Sequence, residues 1–463
     1  MPQGAVIDLI SVGPHDAIIT PIVDEKEVAK IRETIKSQNS GLSTAEVEEE
    51  VNRLTTPDVS IFEGETYTYE RFQMEEVSLQ GNGTLDFDSE VQYTINKVGD
   101  LISDMKLDVN IPALSLSSES SGEQVAWVNM LGTYLIKEKK LEIGGLEVQK
   151  IRSRFADIWD RLTVKEGQKV GYYEMIGQAV YKTFIGPRGN VATTFGTDAL
   201  QVKKGSQESR KLLIPLKFFF CENYEQALPI VALGFNKIYV TIKTRSYNEL
   251  IHYVNGATLS DTPKLHGKLW ITYVYITENA RARMTSDKLS FPIVQVFDNG
   301  ENGVTVSSGN PRFSLNFTRP VCELFWVVQE KAAIDGKCYD HFDKYTGNTT
   351  LYENIPSVTS SQLYINGVPR QDSRGWEYHT RDIYRKRHEN IPQSRSINAY
   401  IWAVNPESSY PMGTSNFTRH QSVELELTCP YISGSTTGQF FAFARSINFF
   451  DIEDGWGSLL FAG

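Results

Sequence analysis

The sequence has few cysteines, no long apolar run and no excess of positive charge. Its four cysteines, Cys221, Cys322, Cys338 and Cys429, form no CxxC pair, a usage typical of a reducing compartment rather than of a disulfide-rich secreted domain. No run of about 18 apolar residues could span a membrane, and no basic segment followed by an apolar core marks a signal peptide. We therefore expect a chain made and folded in a cytosol-like compartment.

Basic patches that would hold a phosphate backbone are also scarce. The 463 residues carry a net charge of −11, and such a surface repels nucleic acid. We expect no direct nucleic-acid binding, and ordinary solubility is the simpler explanation of the acidic balance.

Catalytic signatures are missing as well: the chain has no GxSxG, HExxH, Walker loop or helix-opening GxGxxG. Its histidines are scattered, at His15, His252, His266, His341, His379, His388 and His420. None forms a close metal-ligand pair, and we expect His379 and His388 to be solvated in their charged stretch. We predict no catalytic residue, no metal site, no cofactor and no enzymatic activity.

A short basic cluster, residues 381–387, could contact an anionic partner. Glu377, Asp382 and Glu389 flank it, so a solvated surface with balanced charges is the preferred interpretation.

What the sequence does contain is aromatic residues, with 23 Phe, 22 Tyr and 7 Trp, and many short segments with a period of two. Leu107, Val109 and Ile111 alternate with polar residues, as do the apolar residues of 238–242 and 423–427. Such segments predict strands with one buried face. The segments KLWITYVYI and FFAFARSINFF have strand composition with weaker alternation. Many strands and few helices indicate an all-β fold of sandwiches or barrels.

The N-terminal region has a different pattern. After a short arm, residues 1–20, the spacing of apolar residues over 24–54 predicts two helices, the second starting at a capping box formed by Ser43 and Glu46. Strand patterns begin near Pro57. A Gly-, Asn- and Pro-rich stretch suggests a linker. The predicted division is 1–56 arm and helical hairpin, 57–284 first domain, 285–311 linker and 312–463 second domain.

Two pairs of segments repeat in the same order. YTINK at Tyr93 resembles FSLNF at Phe313, 220 residues later, and LEIGG at Leu141 resembles LYING at Leu363, 222 residues later. The second pair predicts a strand entering a tight Gly turn, and a charged stretch follows each copy. The shared offset indicates a duplicated eight-stranded sandwich.

Four Asn-x-Thr sequons occur, at Asn82, Asn316, Asn348 and Asn416. They are candidate glycosylation sites, and chance is the simpler explanation in a chain without a secretion signal.

Five longer motifs follow one another along the chain: LEIGGLEVQKIRSRFADIWDRL from Leu141, GYYEMIG from Gly171, LIPLKFFFCENYEQALPIVAL from Leu213, NFTRPVCELFWVVQ from Asn316 and SINAYIWAVNPESSYPMGTSNFTR from Ser396. In this order they resemble the major capsid proteins of nucleocytoplasmic large DNA viruses. The resemblance extends over nearly all of 57–463 and includes the N-terminal arm. The helical hairpin and the acidic stretch SIFEGETYTYERF depart from the family pattern.

The resemblance implies two tandem eight-stranded jelly rolls and a homotrimeric, pseudo-hexagonal capsomer. It further implies that capsomers tile an icosahedral shell in the virion, cemented by minor capsid proteins over an internal viral membrane. Two alternatives stay open from the residues alone. A carbohydrate-binding double β-sandwich would be a monomer with an aromatic platform, and a cupin-type enzyme would need a His/Glu metal cluster, which the spacing of the histidines does not provide.

Overall fold

A computed structural model describes residues 71–461 except 118–123, 179–180, 186–190, 196–206, 255, 287, 345–354 and 411, together with Arg32. The predicted arm and helical hairpin therefore lie outside the described residues, apart from Arg32, which is helical. Among the residues described, no helix is both long and apolar enough to cross a membrane.

The first half contains twelve strands in the part of the chain described. They are β1 (Phe72–Leu79), β2 (Glu90–Thr94), β3 (Leu101–Ile111), β4 (Gln124–Trp127), β5 (Ile136–Ile143), β6 (Leu146–Arg152), β7 (Tyr181–Ile185), β8 (Val191–Phe195), β9 (Arg210–Pro215), β10 (Ile238–Thr244), β11 (Ile251–Val254) and β12 (His266–Ile276). Its helices are α1 (Leu131–Leu135), α2 (Ser153–Thr163), α3 (Lys169–Ile176), α4 (Phe219–Glu222), α5 (Tyr247–Leu250) and α6 (Glu278–Ser286), with 3-10 turns at Glu166–Gln168 and Tyr224–Gln226.

The second half, over its described residues, has twelve more strands. They are β13 (Leu289–Asp298), β14 (Val304–Val306), β15 (Arg312–Ser314), β16 (Pro320–Glu330), β17 (Ser360–Ile365), β18 (Val368–Pro369), β19 (Arg374–Gly375), β20 (Asn398–Ile401), β21 (Ser415–Asn416), β22 (Val423–Thr428), β23 (Gly438–Glu453) and β24 (Trp456–Leu459). Its helices are α7 (Lys331–Asp335) and α8 (Ile383–Arg385), with a π-turn at Tyr378–Asp382 and a 3-10 turn at Phe417–Arg419.

Each half forms the same pair of antiparallel sheets. The first has the orders β1-β12-β3-β9 and β2-β10-β5-β6, and the second has β13-β23-β16-β20 and β15-β22-β17-β18. When the eight principal strands of each half are numbered along the chain, both halves read 1-8-3-6 and 2-7-4-5. This is the jelly-roll order, so the predicted all-β fold of two jelly rolls is confirmed, and the repeated topology agrees with the internal sequence repeat.

The two Gly turns of the repeat lie at equivalent places, between the fourth and fifth strands of each roll. Gly144 and Gly145 have φ of 61° and 84°, and Asn366 and Gly367 have φ of 53° and 74°. Positive φ at both central residues is the requirement of a two-residue hairpin turn that matches the twist of the strands. At Gly144 a side chain is also excluded, because a Cβ would fall 1.8 Å from the Asn236 amide nitrogen.

The linker predicted over 285–311 is wrong for much of its length. Strand β13 pairs with β23 from Leu289 to Asp298, and β14 pairs with β23 further along. Pro292 misled the prediction: β13 is the edge strand of its sheet, where a proline removes no necessary ladder hydrogen bond. The Gly-rich residues 299–303 form the turn that follows β13. The other predicted domain boundaries stay predictions.

Alternation is confirmed where one face of a sheet is open. On β3, Met105, Leu107 and Val109 are fully buried, while Asp104, Lys106 and Asp108 between them are partly exposed. On β16, the equivalent third strand of the second roll, every residue after Pro320 is buried. One apolar cluster fills the second roll between its own sheets, and another joins the first roll to the outer side of β16 and β23. The sheet containing β16 is therefore covered on both faces.

Candidate functional site

The helix α2 forms the centre of a junction between the two rolls. It follows directly after β6 and lies on the outer face of the sheet β13-β23-β16-β20, the face directed away from the core of the second roll. The Phe155 ring centroid lies 6.3 Å from that of Phe325 and 5.8 Å from that of Phe443. The Arg154 guanidinium stacks 3.9 Å above the Phe441 ring. Aromatic and cation–π contacts therefore hold the first roll on this face.

Strand β6 extends the junction with polar contacts to the edge strand β13. The Gln149 side-chain amide donates to the Val294 carbonyl over 3.1 Å, and the Arg152 guanidinium is paired with the Asp298 carboxylate. The neighbouring roll thus satisfies part of the hydrogen-bonding capacity of the β13 backbone. This disfavours pairing of the edge strand with another chain.

A buried charge cluster lies beside α2. Glu323 on β16 has no exposed side-chain surface and is paired with both Arg445 on β23 and His388. The Glu323 Oε1 atom lies 2.7 Å from His388 Nε2, and the Glu407 Oε1 atom lies 2.8 Å from His388 Nδ1. Because both ring nitrogens face carboxylate oxygens, both must donate, and only the imidazolium form can do so.

The pKa directions agree with this geometry. Burial opposes the charged imidazolium, but the Glu323 carboxylate outweighs it and raises the pKa of His388 above its ordinary value. Burial would likewise raise the pKa of Glu323, yet His388 and Arg445 together lower it. The Arg445 guanidinium carbon lies 3.8 Å from the Trp159 ring centroid, which connects the cluster to α2.

A second polar cluster crosses the junction at the other side of α2. Arg161 Nε donates to Asp157 Oδ1 over 2.6 Å, and Arg161 Nη2 donates to the Asp340 carbonyl of the second roll over 2.9 Å. The Tyr134 hydroxyl lies 2.7 Å from the second oxygen of Asp157. Burial raises the pKa of Asp157 to about 6 against the opposing effect of Arg161. The junction is thus specified by hydrogen-bonded charges as well as by apolar contact.

The expectation that His379 and His388 are solvated is wrong. The two side chains lie within the second roll, with 1% and 9% of each residue exposed. His379 Nδ1 lies 3.0 Å from the Ala399 carbonyl, and burial lowers the pKa of His379 to about 4. The sequence was misleading here because the charged neighbours point outward while the histidines point inward. No group of three potential metal ligands occurs among the described residues.

The basic cluster of residues 381–387 is mostly engaged within the chain. Arg381 donates to the carbonyls of residues 392–394, and Arg387 donates to the Ala403 carbonyl. Arg385 is paired with Asp382 at 3.3 Å, as the charge balance predicted, but its side chain remains 59% exposed.

Three of the four sequons lie in described residues. Asn82 and Asn316 are exposed, and Asn82 Nδ2 donates to the Thr94 hydroxyl over 3.0 Å. Asn416 is half-buried, and its Oδ1 accepts from the Thr418 backbone N–H over 3.1 Å. Asn348 lies outside the described residues. Glycosylation at all four stays a prediction.

The junction was not predicted from the sequence, although the sequence contains a signal for it. The weak alternation of FFAFARSINFF, now β23, and the apolar run of β16 are what strands covered on both faces produce. Read in that way, these two segments would have predicted that something packs on the outer face of this sheet.

Two family models match the chain in succession. "Major capsid protein N-terminus" matches residues 60–277, and "Large eukaryotic DNA virus major capsid protein" matches residues 280–458. The chain is 23% identical to the major capsid protein of Phaeocystis pouchetii virus, over 85% of this chain and 94% of that protein. It is 26% identical to that of Pyramimonas orientalis virus, over 88% and 94% respectively.

Solved structures show the same fold. The Faustovirus major capsid protein superposes with a TM-score of 0.73 at 12% identity, covering 96% of this chain and all of that one. The PBCV-1 virus capsid superposes with a TM-score of 0.69 at 17% identity, covering 87% of this chain and all of that one.

Proposed function

The chain belongs to the family of major capsid proteins of large eukaryotic DNA viruses, and from this premise we propose that three copies form a pseudo-hexagonal capsomer. As a capsid protein it resides in the virion shell.

The observation that carries the proposal is an asymmetry between equivalent sheet faces. The outer face of β13-β23-β16-β20 is covered by the first roll of the same chain. Among the described residues, no second roll covers the outer face of the equivalent sheet β1-β12-β3-β9, where α6 shields the end of β12 and α4 lies against β3. We call the uncovered part the open face; its outward side chains include Glu76, Ser78, Asp104, Lys106, Asp108, Trp270 and Thr272.

A contact in which one roll covers the face of the next is heterologous, because two different surfaces meet. Within one chain the first roll covers the second. The sheet face of the first roll and the covering side of the second roll are then both left for other copies. Such contacts close into a ring when the rotation allows it. Three chains supply six similar rolls, and the ring is then six-sided in outline with true three-fold symmetry. This shape tiles a flat facet.

Further parts of the proposal follow from the family. Neighbouring capsomers would meet side to side, minor capsid proteins would cement them from beneath, and the inner side would lie near an internal viral membrane. Synthesis would take place in the host cytoplasm. We assign the chain no catalytic role and no direct nucleic-acid binding, in keeping with its net charge of −11.

Light scattering on the purified protein after size exclusion tests the capsomer. We expect a mass of about three times 52.3 kDa that does not change on dilution. A monomer would contradict the proposal and would favour the alternative of a carbohydrate-binding double sandwich.

A further inference from the structure

We propose that the open face of one copy is covered by residues 368–386 of the second roll of the next copy. This inference rests on the proposed capsomer and deepens it, because it names the two surfaces that meet. We call residues 368–386 the basic segment. When the basic segment packs on the open face of the next copy, it forms between chains the same kind of junction that β6 and α2 form within the chain.

The registers of the two sheets establish which positions are equivalent. Asp104 on β3 pairs with Thr272 on β12, next to a β-bulge, and Glu323 on β16 pairs with Arg445 on β23, again next to a β-bulge. Two residues along, the pair Lys106 and Trp270 corresponds to the pair Phe325 and Phe443. The open face therefore presents Trp270 where the covered face presents Phe443, one of the rings that receives Phe155.

The charges of the two faces differ in an informative way. On the covered face Arg445 is paired with Glu323, whereas Thr272 supplies no cation for Asp104. The nearby Lys106 is paired instead with Glu76, at 2.7 Å. Asp104 makes no ion pair with any described residue. It accepts from the Met105 backbone N–H over 2.8 Å and is hydrogen-bonded to Cys221 of α4, and burial raises its pKa above the ordinary value. With no cation paired to it, this carboxylate adds negative charge that cations on a partner surface would complement.

The basic segment occupies the position in the second roll that β6 and α2 occupy in the first. Each follows a two-residue turn with positive φ, Gly144-Gly145 in one and Asn366-Gly367 in the other. The sequence Asp157-Ile158-Trp159 in α2 has a counterpart in Asp382-Ile383-Tyr384. Equivalent segments of equivalent rolls are expected to contact equivalent faces.

The chemistry of the basic segment suits the open face. It holds five Arg or Lys and three Asp or Glu, although the whole chain has a net charge of −11. Arg370, Arg374, Arg385 and Lys386 are exposed. Val368, at the start of the segment, is an apolar side chain left 60% exposed. Cations with an apolar anchor complement a face that offers Trp270 beside Asp104 and Glu76.

A second copy is the occupant that these observations favour. The same chain already contains one covered face and one covering segment. These leave the open face and the outward side of the basic segment, whose Ile383 and Tyr384 side chains are buried in their own roll. The two surfaces are complementary in charge, and contact between copies brings them together.

A charge swap tests this pairing. The face variant Glu76→Arg/Ser78→Arg and the segment variant Arg385→Glu/Lys386→Glu change only exposed side chains. At low salt, where screening is weakest, we expect each variant to lose the trimer, with an approximately threefold fall in mass by light scattering. The combined four-residue variant, which restores opposite charges across the contact, is expected to recover the trimer. Lys331→Glu, an exposed charge reversal on α7, is the matched control and should leave the mass unchanged.

Thermal unfolding of each variant verifies that it remains folded. Trimers in both single-surface variants, or no recovery in the combined variant, would overturn the assignment of these two surfaces. A trimeric wild type would in that case leave the capsomer itself intact. A monomeric wild type would instead overturn the capsomer and this inference together.

Discussion

At the scale of single residues, the buried charges of the junction combine two opposite requirements. Removing Glu323, Arg445 and His388 from water costs free energy, which only mutual pairing and complete hydrogen bonding can offset. The cluster also connects strands that are far apart in the sequence, since His388 lies between the carboxylates of Glu323 and Glu407. We infer that it selects one arrangement of the second roll, more than it adds net stability.

We predict from the His388 cluster that the free energy of unfolding decreases as the pH becomes alkaline. Because the pKa of His388 is raised in the folded state, its contribution is fully present below the unfolded value of about 6.5 and is lost as the pH rises through the folded value. The free energy of unfolding, from urea titrations between about pH 6 and about pH 9, should fall more steeply for the wild type than for His388→Gln.

The matched control is His266→Gln, because His266 is exposed on β12. This variant should follow the wild-type pH profile. Equal slopes for the wild type and His388→Gln would show that His388 is not held as an imidazolium.

At the scale of elements, α2 explains why two strands of the same topology have different sequences. Strands β3 and β16 are both third in their rolls, but only β16 has α2 packed on its outer side. Its outer positions are therefore apolar or charge-paired, such as Phe325 and Glu323, where β3 has Lys106 and Asp104. The tertiary environment, and not strand propensity, decides the pattern.

Truncation of the central ring of α2 should weaken the junction. Phe155→Ala removes a side chain that is 3% exposed and contacts Phe325 and Phe443. Burial of this kind predicts a loss of about 3–5 kcal/mol in the free energy of unfolding, measured by urea denaturation. Val170→Ala on α3, where the side chain is 58% exposed, is the control and should change stability by less than about 0.5 kcal/mol. A loss for Phe155→Ala as small as that of the control would contradict the packing described for α2.

At the scale of the whole molecule, the chain is a block of two similar rolls joined by an interface that is built like an interior. Aromatic rings, paired charges and backbone hydrogen bonds all cross it, and one cluster of buried side chains runs from the first roll into the second. Domains joined by so apolar and extensive an interface are not expected to move independently. A rigid block is what a shell of repeated units requires.

The N-terminal segment is expected to act at this scale. The amphipathic spacing over 24–54 lies outside the sandwich pattern, so we expect it to contact an adjacent subunit or a minor capsid protein. Deletion of 24–54 should leave the fold of the rolls intact while reducing trimer mass or shell assembly, followed by light scattering and electron microscopy. Unaltered trimers and shells would rule this role out.

The sequence by itself determined the strands, the duplication and the tight turns, because these depend on local properties. Alternation reports one buried face, as on β3 and β22, and paired positive-φ residues report a hairpin, as at Gly144-Gly145. With the resemblance of five motifs, it also indicated the family.

Only the tertiary structure decided where the two rolls meet. The covering of β16 by α2, the burial of His388 and the pairing of β13 with β23 all join residues distant in sequence. No local period reports a contact between residues far apart along the chain. A strand covered on both faces and an inward-facing histidine in a charged stretch could therefore be recognised only from the contacts in the folded chain.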